Sequence, residues 1–248
     1  MAEAFIGGLL AAGVCAAEQI RATDPSPARR DLTKARFGVV VGTDNAEVAR
    51  WADVVVLAVK PQVCESVLLE LRSGLSTQLV VSIAAGIRLA WMRDRMPTGV
   101  RLIRVMPNAP ALVGAGMSAL ARDSSASDAD LAMARRLCDA VGRTEVVEEA
   151  LLDAVTGLSG SGPAFIFAAM EALADGGVKA GLPRDVAERL VVATVRGAAL
   201  LKLADRNASP GDREPDRDGV RALEAHAFRT TVANAVVAAA ERSRELGA

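Results

Sequence analysis

Asp53-Val54-Val55-Val56-Leu57-Ala58-Val59 is, after its opening aspartate, an unbroken aliphatic run that stops at Lys60-Pro61. A strand with one wet face alternates apolar and polar residues; this one does not, so it reads as a strand covered on both faces, the mark of a parallel sheet. Upstream, the spacing predicts a helix over 46–51, a strand over 39–41 and a charged helix over 25–36, started by Pro27 behind Ser26. An extended piece over 20–24 precedes these, and Phe5, Ile6, Leu9 and Leu10 recur at helical spacing. Downstream, a helix over 61–71, a strand over 78–83, a helix over 89–95 and a strand over 100–106 continue the alternation. Repeated βα units imply a doubly wound α/β sheet.

From about Asp153 only helices are expected, over 163–180, 183–202 and about 225–246. The chain therefore divides into an α/β domain, 1–150, and an all-α domain, 151–248. Ala164, Ala168, Ala169, Ala172, Leu173 and Ala174 spread around the helix circumference, so a lone copy would expose apolar surface. That favours a homodimer over an intramolecular bundle.

The 248 residues are 51% hydrophobic with a formal net charge of -1 and 3% aromatics. Such a chain has neither the basic footprint nor the stacking surfaces of a nucleic-acid binder. Cys15, Cys64 and Cys138 are too far apart for a zinc cluster or a disulfide framework, which fits a reducing cytoplasm. The apolar opening lacks a basic flank, and no membrane span is expected. His226, the single histidine, has no ligand-spaced partner, so no metal site is expected.

A doubly wound sheet binds ligands beyond the carboxyl ends of its strands. Three such ends carry suitable chemistry. At Lys60-Pro61-Gln62 the lysine can reach an anionic or ribose oxygen, or simply be a solvated loop residue. Ala84-Ala85-Gly86 is small enough for a flat ring to lie against the backbone, or is an ordinary turn. In Met106-Pro107-Asn108 the amide can meet a carboxamide, or cap a helix. Leu158-Ser159-Gly160-Ser161-Gly162-Pro163-Ala164-Phe165 then opens the first long helix, with Pro in its first turn.

Taken in order, these segments resemble the pyrroline-5-carboxylate reductases, from Met1-Ala2-Glu3-Ala4 through Asp24-Pro25-Ser26-Pro27, Asp153-Ala154-Val155-Thr156-Gly157 and the 158–165 run to Glu241-Arg242-Ser243-Arg244-Glu245-Leu246. The resemblance implies a Rossmann-like dinucleotide domain, a helical dimerisation domain, and hydride delivery from NADPH or NADH to 1-pyrroline-5-carboxylate, giving proline. It implies cofactor contacts at Asn45, Ala58, Val59, Lys60, Pro61, Ala84, Ala85 and Gly86, with Asn108 nearby. Glu149 would lie near the substrate ring; it reads equally as a helix-start carboxylate. Asp24 can accept a ribose hydroxyl and favour NAD, whereas Ser26, Arg29 and Arg30 can hold a 2′-phosphate; the resemblance favours NADP.

The sequence departs from the family in two places. The family places a strand and a G-x-G-x-x turn ahead of the Met-Ala-Glu-Ala segment, so a start upstream of Met1 is expected. Without that central strand of the 3-2-1-4-5-6 order, its neighbours would stand about 9 to 10 Å apart with unpaired edges. The substrate-carboxylate loop should read Ser-Pro-Gly-Gly, a small residue, then Thr. This chain keeps Ser209 and Gly211 as carboxylate-binding candidates but continues Asp212-Arg213-Glu214-Pro215-Asp216-Arg217-Asp218, a pattern expected from a local frame slip or a solvated charged loop. Two further readings follow: a catalytically impaired remnant acting through its helices as an oligomerisation or interaction protein, and a different imine or β-hydroxyacid reductase. The latter needs a well-placed lysine, and Lys179 comes late in its helix.

Overall fold

A computed structural model describes residues 1–205 and 214–246, the side chains of 214–217 and 246 excepted. It forms two compact units, Met1–Gly160 with Ala239–Ala248, and Ser161–Ala238. The change in sequence character near residue 150 thus precedes the change in packing by about ten residues.

The first unit runs α1 (Ala2–Ala11), β1 (Arg21–Thr23), α2 (Pro27–Phe37), β2 (Val40–Gly42), α3 (Asn45–Trp51), β3 (Val54–Leu57), α4 (Cys64–Arg72), β4 (Leu79–Ser82), α5 (Leu89–Arg93), β5 (Arg101–Met106), β6 (Gly116–Arg122), α6 (Asp128–Asp139), β7 (Gly142–Val146) and α7 (Leu152–Val155). β3, β4 and β5 pair in parallel, with Leu57 level with Ser82 and Ser82 level with Arg104. β4 is buried at all four positions, as the middle of a sheet covered on both faces must be. One face packs Leu68 of α4 and Met92 of α5; the other packs Phe5 of α1 with Ala134 and Cys138 of α6.

The doubly wound sheet expected from the repeated βα units is present and mostly parallel, though not wholly so: β6 runs antiparallel to β5 and carries β7 alongside it. Only nine residues, 107–115, connect β5 to β6, too few for the crossover a parallel partner requires. Nor is the 53–59 strand covered throughout, since Val54, Val55 and Val56 are only half-buried.

The cause is that β3 ends its sheet, while β1 and β2 form a separate parallel pair. Leu79 N–H donates to Asp53 O at 3.1 Å and Ile83 N–H to Leu57 O at 3.0 Å. Because backbone groups alternate sides along a strand, those of Val54 and Val56 point away from β4. Likewise Asp24 N–H donates to Gly42 O at 3.2 Å, which turns Arg21 and Thr23 away from β2. Residues of both free edges line one apolar cleft of about 280 Å³, between the strands expected to flank a central one.

In the second unit α8 (Gly162–Lys179) packs on α9 (Arg184–Ala204), followed by α10 (Glu214–Ala225) and α11 (Phe228–Leu246), whose last turns belong to the first unit. Gly181, at φ 104, makes the turn between α8 and α9. A side chain on Gly177 would press on Ala187 at 3.3 Å, so small residues set the closeness of this helix pair. Among the described residues of this unit only Ala174 and Ala187 are buried, while Phe167, Leu201 and Leu203 stand 60% or more exposed. By length and a mean hydropathy of 1.2, the stretch Glu149–Lys179 would suffice to cross a bilayer.

Candidate dinucleotide site

β1 ends at Thr23, and the next four residues build a compact turn. Asp24 Oδ1 accepts from Ser26 N–H at 2.8 Å, fixing the entry to α2, and Arg30 Nη1 donates to the carbonyls of Asp24 at 2.8 Å and Pro25 at 2.9 Å. Arg29 is freer. Its side chain is 64% exposed, 3.9 Å from Asp24 Oδ2 and 3.4 Å from Glu3 Oε1. Ser26 stands at the N-cap without a side-chain capping bond, so the positive end of the α2 dipole, a hydroxyl and a guanidinium face the same corner.

Asn45, at the start of α3, accepts from Thr23 Oγ1 at 2.5 Å and donates to Glu70 Oε2 at 2.6 Å, tying α3 to β1 and to α4. Asp24, Asn45, Ala58 and Val59 all line the cleft between β1 and β3. Lys60 is exposed just beyond it, and Pro61 opens a 3₁₀ turn that leads into α4. A more open depression of about 500 Å³, near Arg135 and Arg136, includes none of the candidate residues.

The remaining described candidates do not line that cleft. Ala84 is buried, Ala85 exposed, and Gly86 takes φ 77, a conformation that glycine adopts without the strain a Cβ would bring. Asn108 is committed at both ends of its amide: Nδ2 donates to Ser159 O and Oγ, each at 3.2 Å, and Oδ1 accepts from Met117 N–H at 2.8 Å. It therefore clamps the 158–160 segment to β6. Glu149 Oε1 accepts from Leu89 N–H at 2.7 Å and from Arg104 Nη1 at 3.0 Å.

Arg104, buried in β5, was missed by the sequence reading. A charged residue inside an otherwise apolar strand, Leu102-Ile103-Arg104-Val105, was the signal that could have found it. Ser209 and Gly211 lie outside the described residues, as does Arg213, and the side chains of Glu214 and Arg217 are likewise not described. His226 is exposed and bonds the Ala222 carbonyl at 2.9 Å. Among the described residues no three His, Cys, Asp or Glu side chains gather as metal ligands.

Burial pushes the Cys64 thiol up to about 11. It pushes Cys138 up to about 12, aided by the Asp139 charge and opposed by a Ser118 hydrogen bond. Neither thiol is a nucleophile near neutrality.

Comparison with known proteins agrees with this fold. Residues 149–246 match the family model described as pyrroline-5-carboxylate reductase dimerisation. Residues 1–86 match that of the coenzyme F420-dependent NADP oxidoreductases. The pyrroline-5-carboxylate reductase of Synechocystis sp. is 44% identical over 256 residues, covering 100% of this chain and 95% of its own. The structure of the Coxiella burnetii enzyme of that name superposes with a TM-score of 0.92 at 33% identity, covering 100% of this chain and 95% of that one. The Plasmodium falciparum pyrroline carboxylate reductase, solved with NADP bound, gives 0.84 at 30% identity, covering 99% and 94%. Strand ends, helical unit and whole-length identity thus converge, and the chain belongs to the pyrroline-5-carboxylate reductase family.

Proposed function

We propose that this protein reduces 1-pyrroline-5-carboxylate to L-proline with NADPH, as a homodimer or larger homo-oligomer in the cytoplasm. The observation that carries the reading is the level row Leu57, Ser82, Arg104. It brings the carboxyl ends of three parallel strands, with their loops at Lys60, Ala84–Gly86 and Asn108, to one edge of the sheet, where this fold class takes dinucleotides.

The residues present fit such a cofactor at two places. The α2 corner offers Ser26 and Arg29 to a 2′-phosphate, and the left-handed turn at Gly86, itself buried beside buried Ala84, offers the exposed Ala85 to a flat ring. When bound, the nicotinamide supplies the hydride. The chain contributes position, because a protonated cyclic imine is already electrophilic and orientation alone is worth several kcal/mol. Asn108 and Glu149 hold the loop ends. Ser209 and Gly211 are proposed, by resemblance, to hold the substrate carboxylate.

The division 1–150 for the dinucleotide and 151–248 for subunit pairing is likewise proposed. A second subunit accounts for the apolar side chains exposed on α8 and α9. The three cysteines, all free, suit a reducing compartment. NADH remains the alternative cofactor through Asp24.

The open cleft between β1 and β3 favours one second reading, a catalytically impaired member acting through its helical unit. Oxidation of NADPH by the 248-residue chain, followed at 340 nm with pyrroline-5-carboxylate and with proline quantified, separates the two. Turnover supports the reductase; an oligomer that neither binds NADPH nor forms proline supports the second reading.

A further inference from the structure

The Arg104–Glu149 pair joins three elements distant in sequence. Arg104 lies in the middle of β5, level with Ser82 of β4 and Ala121 of β6, and its side chain is only 6% exposed. A buried cation there needs a carboxylate, and among the described residues its ion-pair partner is Glu149, which follows β7. The same oxygen, Oε1, also accepts from the backbone N–H of Leu89, the first residue of α5. The loop 83–88 is thus held at both ends. At one end Ile83 N–H bonds Leu57 O across the sheet; at the other, Leu89 is drawn to Glu149. Ala84, Ala85 and Gly86 lie between these two anchors.

We infer that Glu149 is a positioning residue: through the Leu89 amide it sets the height of the 84–86 turn over the sheet, with Arg104 as the buried cation that fixes the carboxylate. This differs from a direct contact between Glu149 and the substrate ring: the role assigned here runs through Oε1, which accepts from both Leu89 N–H and Arg104 Nη1, and it needs no ligand on the carboxylate. The inference rests on the reading that the 84–86 turn faces the dinucleotide.

The test compares the full-length wild type with E149A, R104K and the double variant E149A/R104M. The double variant removes the buried charge together with its partner, so it guards against a single variant that simply fails to fold. Amide exchange at Leu89 and over 83–88 should accelerate at least tenfold in E149A/R104M while β6 stays protected. The dissociation constant for NADPH should rise about five- to twentyfold, with the KM for pyrroline-5-carboxylate within about twofold of wild type. R104K, which keeps the cation, should lie closer to wild type in both readouts. Unchanged exchange at Leu89, or faster exchange with unchanged NADPH binding, overturns the inference. So does a selective rise in the imine KM, which would return Glu149 to the substrate. If the wild type binds no dinucleotide, the functional reading fails, and the exchange data still decide whether Glu149 pins the loop.

Discussion

Replacing Arg29 by Ala should change which dinucleotide the protein prefers without touching its fold. Arg29 is 64% exposed and makes only long ion pairs, at 3.4 Å to Glu3 and 3.9 Å to Asp24, so its loss costs little stability. A 2′-phosphate beside Ser26 would carry nearly two negative charges. At about 4 Å in a water-like medium each unit pair is worth about 1 kcal/mol. Partial neutralisation by Glu3 and Asp24 cuts the sum to about 1 to 1.5 kcal/mol, or roughly a five- to fifteenfold weakening of NADPH. NADH has no such phosphate and should bind R29A as it binds wild type. Titration of both dinucleotides at low and high salt measures the ratio, and the effect should shrink as salt screens it. Two companions sharpen the experiment. E3Q frees Arg29 from a competing carboxylate and should shift the ratio the other way. R30A removes two bonds to the carbonyls of Asp24 and Pro25, so it should weaken both cofactors together. If R29A weakens NADH as much as NADPH, or alters neither, the 2′-phosphate does not lie at this corner.

Gly142→Ala should cost about 2 to 3 kcal/mol in urea unfolding, because the new Cβ would lie 2.0 Å from Gly116 O and force β6 and β7 apart. Gly162→Ala, with open space and no unusual φ, should stay within about 0.5 kcal/mol. Burial would raise the carboxyls of Asp123 and Asp130, but for Asp123 hydrogen bonds from Ser125 and Arg93 outweigh it, and for Asp130 hydrogen bonds from Ser127 with the Arg101 charge; both end below the ordinary 3.8. Their stabilisation is therefore complete above that value and lost as pH falls through the lower folded-state values. D130N should flatten this acid loss and cost stability at pH 7, read by unfolding at a series of pH values. At pH 8 a disulfide-exchange reagent should titrate Cys15 quickly, and Cys64 and Cys138 only after unfolding.

The elements legible in the sequence were those that carry a continuous or helically spaced aliphatic mark, whether this chain buries it or leaves it exposed. β3, β4 and β5 and the long helices α8 and α9 were found to within a few residues. β6 escaped because four of the seven residues of Gly-Met-Ser-Ala-Leu-Ala-Arg are Gly, Ser or Ala, of weak strand preference, and at Gly116 the small residue is tied to the close approach of Gly142 in β7. β7 is mostly polar and exposed. α6 carried a readable start signal in the capping box of Ser127 and Asp130, which the reading passed over.

Within the candidate site, the strand-end loops were legible because chain direction fixes where they lie. What occupies each side chain was not. Glu149 meets partners 60 and 45 positions away, and Asn108 meets Ser159 51 positions away, and no local pattern encodes such pairings.

The separated pair β1–β2 has a consequence for how the molecule opens. Each strand is three residues long, and their cluster buries only Ile6, Val39 and Val41, against sixteen buried residues in the largest core cluster. A lone pair of short strands is marginal. This region should therefore behave as a foldon of its own, opening at a free energy well below that of global unfolding. Asp24, Ser26 and Arg29 stand at its end, so a dinucleotide held there, as proposed, would bind only the closed form. Ligand would shift the opening equilibrium by mass action. Affinity at that corner would then measure how fully the β1–β2 pair is folded, as well as how well its side chains fit the ligand.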